Sequence, residues 1–296
     1  MLPSLRQRLI LAVAIALGAT VLVLVAADLR VADGSRCLTL TSARVGPALA
    51  ALIIVVAAVP ALIGGLIAAG TGNPLSGVFA IGASFCVLAG TGGSIDEWFI
   101  REGATLPADY GWLIVEVVGW EAALAVMLVL ISRARPPLRR RLAALGSNDH
   151  LDSEIAPRRM TGKSAAAAAL CAVIGGVLSI FIVRSTDSGQ VIWSLILAFL
   201  VGSLAAHLIV PEGDCWAILL SPGLVAVVTY TWLLVSFDHE GRFLAAWYSV
   251  GRTATSVPGP ALALPIHYAS AALVGCTLGL GWAQGLNASR VRMVEA

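Results

Sequence analysis

Eight long runs of apolar residues constrain this chain more than any other feature. A helix needs about 20 apolar residues to cross the roughly 30 Å hydrocarbon core of a bilayer. The runs are Leu9–Ala27, Pro47–Ala69, Leu75–Ala89, Tyr110–Ile131, Ala165–Val183, Val191–Val210, Trp216–Ser236 and Ala261–Leu286. A membrane barrel would instead show short segments of alternating hydrophobicity. The sequence therefore predicts an all-α, polytopic transmembrane helix bundle with about eight spans.

Composition supports this class, because only 12% of the 296 residues are charged and 58% are hydrophobic. Soluble domains have about a quarter of their residues charged. The third run is short and contains several glycines, so whether it crosses the whole bilayer is left open. The first run follows Arg6 and Arg8 and ends in Val25-Ala26-Ala27, which resembles a signal-peptide cleavage site. Its apolar core is longer than that of a signal peptide, so we expect an uncleaved first helix.

A basic segment separates the first four runs from the last four. Residues 133–164 hold eight of the nineteen basic residues, namely Arg133, Arg135, Arg139, Arg140, Arg141, Arg158, Arg159 and Lys163. The positive-inside rule places this segment in the cytoplasm, with twelve basic residues inside and the other seven outside. We therefore predict a multi-pass protein of the cell membrane with both termini cytoplasmic. The Arg133–Lys163 loop is expected to contact anionic lipid headgroups. A net charge of +2 gives no reason to expect nucleic acid as a partner.

The chain divides into a first half at residues 1–132, a basic linker at 133–164 and a second half at 165–296. Three pairs of short segments recur in the same order in the two halves. They are Ile63–Ala69 with Val201–His207, Ser94–Glu97 with Ser236–His239, and Leu106–Tyr110 with Leu264–Tyr268. Four spans in each half give the halves the same orientation in the membrane. This pattern predicts a parallel 4+4 internal repeat.

The fourth run contains two carboxylates, Glu116 and Glu121. A charged side chain at membrane depth is unfavourable unless it is protonated, paired or hydrated, so both are candidate site residues. Glu121 lies about 140° round the helix from Glu116 and is expected to point elsewhere.

The start of the eighth run supplies the other two candidates, His267 and Tyr268. If the fourth and eighth helices face each other, Glu116 and His267 meet and form a proton relay or a site for a cationic or polar solute. In the alternative, Glu116 bonds the backbone or Tyr268 and only holds helices together.

The other patterns predict structure rather than chemistry. The five cysteines show no spacing typical of a metal site, so we predict no metal, no cofactor and no catalytic residue. Ala271, Gly275 and Gly279 recur every four residues and form a face of small side chains. Such a face allows close helix packing, either at the centre of the bundle or in a homo- or hetero-oligomer.

Three functional classes are consistent with these observations. The first is a transporter or permease-like subunit for a small solute or ion, with a polar site between the two halves. The alternative is a non-catalytic membrane subunit or an assembly or scaffold protein, favoured by the scarcity of intramembrane polar residues and of Gly/Pro interruptions. The third is a lipid-modifying membrane enzyme, which rests on Asp238, His239 and Glu240 and on nearby aromatic residues. The absence of a catalytic motif makes a non-enzyme the expectation.

The predicted topology can be tested by cysteine labelling in intact cells. Cys37 lies in a loop predicted to be external, and Ser147 lies in the basic linker predicted to be cytoplasmic. We expect a membrane-impermeant maleimide to label the native protein at Cys37 without permeabilisation. In a Cys37→Ser, Ser147→Cys variant, we expect labelling only after permeabilisation. Labelling of that variant in intact cells would contradict the orientation.

Overall fold

The computed structural model describes residues 5–26, 29, 39, 40, 43, 45–101, 110–142, 155, 159–236 and 257–295, and gives the backbone alone for 99–101 and 288–295. All regular structure in these ranges is helical. The helices are α1 (Leu5–Ala26), α2 (Pro47–Thr71), α3 (Pro74–Thr91), α4 (Ile95–Arg101), α5 (Tyr110–Arg141), α6 (Gly162–Ile182), α7 (Ser188–Ile209), α8 (Cys215–Leu219), α9 (Ser221–Ser236), α10 (Pro265–His267) and α11 (Leu273–Glu295). A 3₁₀ turn (Gly259–Leu262) precedes α10, and a π turn (Tyr268–Ala272) joins α10 to α11.

Eight helical segments of the described chain are long and apolar enough to cross a membrane. The chain is therefore a multi-pass helical membrane protein, and the predicted spans are confirmed to within a few residues at most of their ends. The third run is an 18-residue helix, α3. Besides the fourth, whose helix continues beyond its predicted end, two spans differ from the prediction. The seventh is divided into α8 and α9 at Leu220, and the helix of the eighth begins at Pro265 instead of Ala261.

The last span forms the centre of the bundle. In its most apolar window 83% of the residues are buried, against 28% in the first span and 28% in the fifth. It packs against α7 on one side and α3 on the other, so it contacts both halves of the chain. A second contact between the halves is formed by α5 and α9. The outer spans expose large apolar side chains, which suits a surface covered by lipid tails.

Close packing of the last span depends on its glycines. A Cβ atom added at Gly275 would overlap the carbonyl oxygen of Ile196, and one added at Gly279 would overlap Ser203 and the carbonyl oxygen of Leu200. All three of these neighbours lie on α7. The small-residue face of Ala271, Gly275 and Gly279 therefore packs inside the chain. This agrees with the predicted alternative in which the face lies at the centre of the bundle. It is not available for the predicted homo- or hetero-oligomer contact.

The basic segment begins as helix rather than as linker. Helix α5 continues past the predicted end of the span at Ile131 to Arg141, so the linker predicted at 133–164 starts inside α5. Arg135 does not simply face solvent or headgroups, because its guanidinium donates to the carbonyl oxygens of Ala69 and Gly72 at 3.3 and 3.4 Å. These carbonyls lie at the C-terminal end of α2, where a helix leaves acceptors without intrahelical partners. Arg135 therefore caps α2.

Substitution of Gly275 by Ala tests the contact between the last span and α7. The added methyl group meets backbone rather than a movable side chain, so we expect the free energy of unfolding to fall by about 1–3 kcal/mol. Gly281→Ala is the matched control, because nothing lies within 4 Å of its added Cβ. Thermal unfolding of both variants in detergent measures the difference. Equal stabilities would contradict the close approach of the two backbones.

Candidate functional site

Glu116 is held by hydrogen bonds from two N–H groups. The residue is 4% exposed. Its Oε2 accepts from the backbone N–H of Leu40 at 2.9 Å, and its Oε1 accepts from the indole Nε1 of Trp120 at 3.3 Å. Leu40 precedes α2, so the carboxylate ties this connection to α5. Both oxygens thus accept hydrogen bonds. The bond from Leu40 agrees with the alternative prediction, in which Glu116 bonds the backbone.

His267 does not bond Glu116, contrary to the expected pairing. Its Nδ1 accepts from the backbone N–H of Leu264 at 2.9 Å, which satisfies a donor at the start of α10. Its Nε2 is buried on the side facing the Ala89 carbonyl and has no hydrogen-bond partner among the described residues. Helix initiation places the imidazole here, because the first N–H groups of a helix need an external acceptor.

Tyr268 belongs to a buried cluster of three tyrosines instead of a pair with Glu116. Its hydroxyl donates to the carbonyl oxygen of Pro260 at 2.7 Å. The ring of Tyr230 lies between the other two, with its centroid 5.6 Å from that of Tyr110 and 6.5 Å from that of Tyr268. Tyr110 begins α5 and Tyr268 follows α10, so the cluster joins the start of the fourth span to the start of the eighth. Aromatic contacts of this kind stabilise helix packing.

Glu121 occupies a different environment at the contact between α5 and α9. A Cβ atom added at Gly223 would overlap the side chain of Glu121, so the carboxyl group lies directly against the backbone of α9. The backbone N–H of Gly223 faces this carboxyl group. The Oε2 atom of Glu121 is buried and has no hydrogen-bond partner among the described residues. At 1.5 Å per residue, Glu121 lies about 16 Å along α5 from Tyr110, near the middle of a roughly 30 Å hydrocarbon core.

Pro222 explains why the seventh span is interrupted at this depth. Proline has no N–H, so Pro222 cannot donate to the carbonyl oxygen of Ile218, four residues earlier. The Ile218 oxygen instead accepts from the Ser221 hydroxyl at 2.8 Å and lies 3.7 Å from the Cys276 thiol. Helix α9 begins at Ser221, so its first N–H groups lack intrahelical acceptors. The Glu121 carboxyl group lies at this N-terminal end, where the helix dipole favours negative charge.

Other polar groups surround the interruption. The thiols of Cys171 on α6 and Cys276 on α11 lie beside each other and near the Ser221 hydroxyl. Helices from both halves therefore meet here, with α5 from the first half and α6, α9 and α11 from the second. The sequence signal for this site is Ser221-Pro222-Gly223 within an apolar run. The expectation that Gly/Pro interruptions are scarce overlooks this one.

Several predicted features lie elsewhere or cannot be placed. His207 is buried near the C-terminal end of α7, and its Nδ1 has no partner among the described residues. Asp96 accepts a hydrogen bond from the hydroxyl of Thr186. Asp238, His239 and Glu240 lie outside the described residues, as does the segment 106–109 that precedes Tyr110. Within the described ranges, no group of three or more His, Cys, Asp or Glu residues is arranged to hold a metal ion.

Comparisons with protein-family models, curated proteins and solved structures find no match to this chain. Any functional assignment therefore rests on the geometry of the polar residues.

The structural role of Glu116 can be tested by comparing two substitutions. Glu116→Ala removes both acceptors and leaves the N–H groups of Leu40 and Trp120 without this partner, which costs about 1–3 kcal/mol per buried group. Glu116→Gln keeps one acceptor oxygen and removes the charge. We expect Glu116→Ala to lower the melting temperature clearly more than Glu116→Gln does. Equal losses in the two variants would show that the charge, and not the hydrogen bonds, matters.

Proposed function

We propose that this protein is a proton-coupled transporter or permease-like subunit for a small solute or ion, and that Glu121 is its proton-binding residue. The observation that carries the proposal is the buried, unpartnered Oε2 atom of Glu121 beside an interrupted membrane helix. This site lies between the two halves of the chain, where a polar transport site was expected. It replaces Glu116 and His267 as the centre of that site.

The chemistry of Glu121 suits the binding and release of a proton. A carboxyl group near the bilayer centre is neutral when protonated, and its charged form requires local stabilisation. The N–H of Gly223 and the N-terminal end of α9 provide such stabilisation for the carboxylate. The free Oε2 atom can then take up a proton without breaking an existing hydrogen bond. Both protonation states thus have a physical basis at this position.

The interruption of the seventh span also supports transport. Discontinuous membrane helices near the midplane, at the interface between repeats, form the substrate and ion sites of many secondary transporters. Here the interruption lies in the second half of the chain and the carboxylate in the first. A relative movement of α5 and α9 would separate Glu121 from the N-terminal end of α9. Such a movement would change the stability of the charged form and so couple proton binding to conformation.

A parallel 4+4 repeat forms part of the proposal, and two contacts support it. Gly64 on α2 lies against Ala14 on α1, and Gly202 on α7 lies against Cys171 and Gly175 on α6. The segment alignment pairs Gly64 with Gly202, and each joins the first two spans of its half. The alignment also pairs Tyr110 with Tyr268, and both contact the Tyr230 ring.

A second candidate is a non-catalytic membrane subunit or scaffold, and the environment of Glu116 favours it. This carboxylate is almost fully buried and accepts two hydrogen bonds, which tie the connection before α2 to α5 and are typical of a polar residue with a structural role. Three predictions do not distinguish the two candidate functions. They are the location in the cell membrane, the cytoplasmic termini and the contact with anionic headgroups. The lipid-enzyme hypothesis gains no support, because Asp238, His239 and Glu240, on which it rests, lie outside the described residues.

Proton flux into proteoliposomes distinguishes the two candidates. Vesicles with a trapped pH-sensitive dye receive an outward potassium gradient and valinomycin, which draws protons inward wherever a pathway exists. We expect the native protein to acidify the lumen faster than protein-free vesicles do. Glu121→Gln should reduce this flux roughly tenfold or more, because the amide cannot take up a proton, whereas Glu116→Gln should retain most of it.

Each alternative outcome has a definite meaning. Native flux equal to that of protein-free vesicles would overturn an independent proton pathway through Glu121 and favour the structural subunit. Native flux that persists in Glu121→Gln would overturn the assignment of Glu121. Both variants must incorporate as fully as the native protein, which is measured by quantitative blotting of the vesicles.

A further inference from the structure

An apolar groove runs between α6 and α9 on the surface of the bundle. Its volume is about 540 Å³. The lining residues are Ala172, Val173, Gly176, Val177 and Ile180 of α6, Leu224, Val225, Val228, Thr229 and Trp232 of α9, and Pro258 and Pro260. On both helices, successive lining residues are one, three, one and three positions apart in the sequence. This spacing places them on one continuous stripe of each helix. The groove therefore follows the two helix axes.

The length and depth of the groove match one leaflet of the bilayer. From the first to the last lining residue, each helix rises by eight residues, or about 12 Å at 1.5 Å per residue. They extend from the middle of α6 almost to its C-terminal end at Ile182. Half of a roughly 30 Å hydrocarbon core is about 15 Å. The groove thus occupies the hydrocarbon depth of a single leaflet, the one at the C-terminal ends of α6 and α9.

The chemistry of the lining selects an apolar, elongated occupant. Thr229 is the only polar side chain besides the Trp232 indole among the lining residues. Val173, Val177 and Val228 are 62%, 47% and 67% exposed, so the groove opens onto the lipid-facing surface. Pro258 and Pro260 close it at the end near the membrane interface. An occupant therefore enters sideways from the bilayer rather than from water.

We propose that this groove binds one acyl chain of a bilayer phospholipid from the leaflet at the C-terminal ends of α6 and α9. Its volume lies within the range of sites that enclose most of a small ligand. Each methylene group transferred into a closely fitting apolar site gains contacts with packed protein atoms, so a chain in the groove resides longer than the surrounding lipid. Arg184, two residues beyond α6, lies at headgroup level and forms no ion pair with a described residue. This position favours an anionic headgroup.

Photocrosslinking in lipid nanodiscs tests the proposal on the full chain. The probe is a phosphatidylglycerol with a diazirine near the end of one acyl chain, and peptide mass spectrometry maps the adducts. We expect adducts on the α6 and α9 stripes roughly fivefold or more above those on the lipid-facing stripe of α5, because a confined chain remains near its lining residues. The same probe with a phosphatidylcholine headgroup distinguishes recognition of the chain from recognition of charge. Reduced labelling by that probe would confirm the headgroup preference, and equal labelling would overturn it while leaving the acyl-chain site intact.

A pair of tryptophan substitutions provides the matched control. Val228→Trp fills the groove, whereas Val115→Trp places the same side chain at a position that is 60% exposed and outside the groove. Val228→Trp should reduce the groove adducts severalfold and leave adducts on α5 unchanged, and Val115→Trp should leave the groove adducts unchanged. Uniform labelling of all lipid-facing helices in the native protein would overturn the proposal. So would an absence of lipid adducts from the groove in native protein whose other lipid-facing helices are labelled.

Discussion

The absence of water from the hydrocarbon core is the constraint on which this structure depends. A backbone N–H or C=O without a partner costs several kcal/mol in that environment, so a spanning segment must be helical and every interruption of a helix must be compensated. The described chain shows this compensation at three places. Arg135 bonds carbonyl oxygens at the end of α2, His267 accepts from the N–H of Leu264, and Ser221 bonds the carbonyl oxygen released by Pro222. Polar side chains in the bundle thus lie where the backbone needs them.

The same requirement separates the two carboxylates of α5. Glu116 receives two N–H donors, one from the connection that precedes α2, and both of its oxygens are engaged. Glu121 faces the backbone N–H of Gly223 at the start of α9 and has a buried oxygen without a partner among the described residues. A fully engaged carboxylate stabilises one arrangement of helices. A partly engaged carboxylate at a helix interruption has capacity for a proton, and this difference is why the functional proposal rests on Glu121.

Much of the fold was predictable because helix length and hydrophobicity are local properties. The eight spans, the identity of the candidate carboxylates and the close packing of the Gly275 face follow from residue spacing. The partners of those residues were not predictable, since they belong to distant parts of the chain. Glu116 was expected to meet His267, yet it bonds Leu40 and Trp120. Glu121 was expected to point elsewhere than Glu116, and it does so, but its partner helix α9 was not predictable.

The sequence by itself determined that this is a helical membrane protein, because long apolar runs exclude other folds in a bilayer. It also determined that Pro222 would release a carbonyl oxygen, since proline lacks an N–H wherever it occurs. Only the tertiary structure decided which groups compensate that interruption and that the last span forms the centre. Those outcomes depend on which helix surfaces meet and how closely they approach, as α5 and α9 do at Gly223. Such an approach is a property of two surfaces together, and neither segment of the sequence specifies it separately.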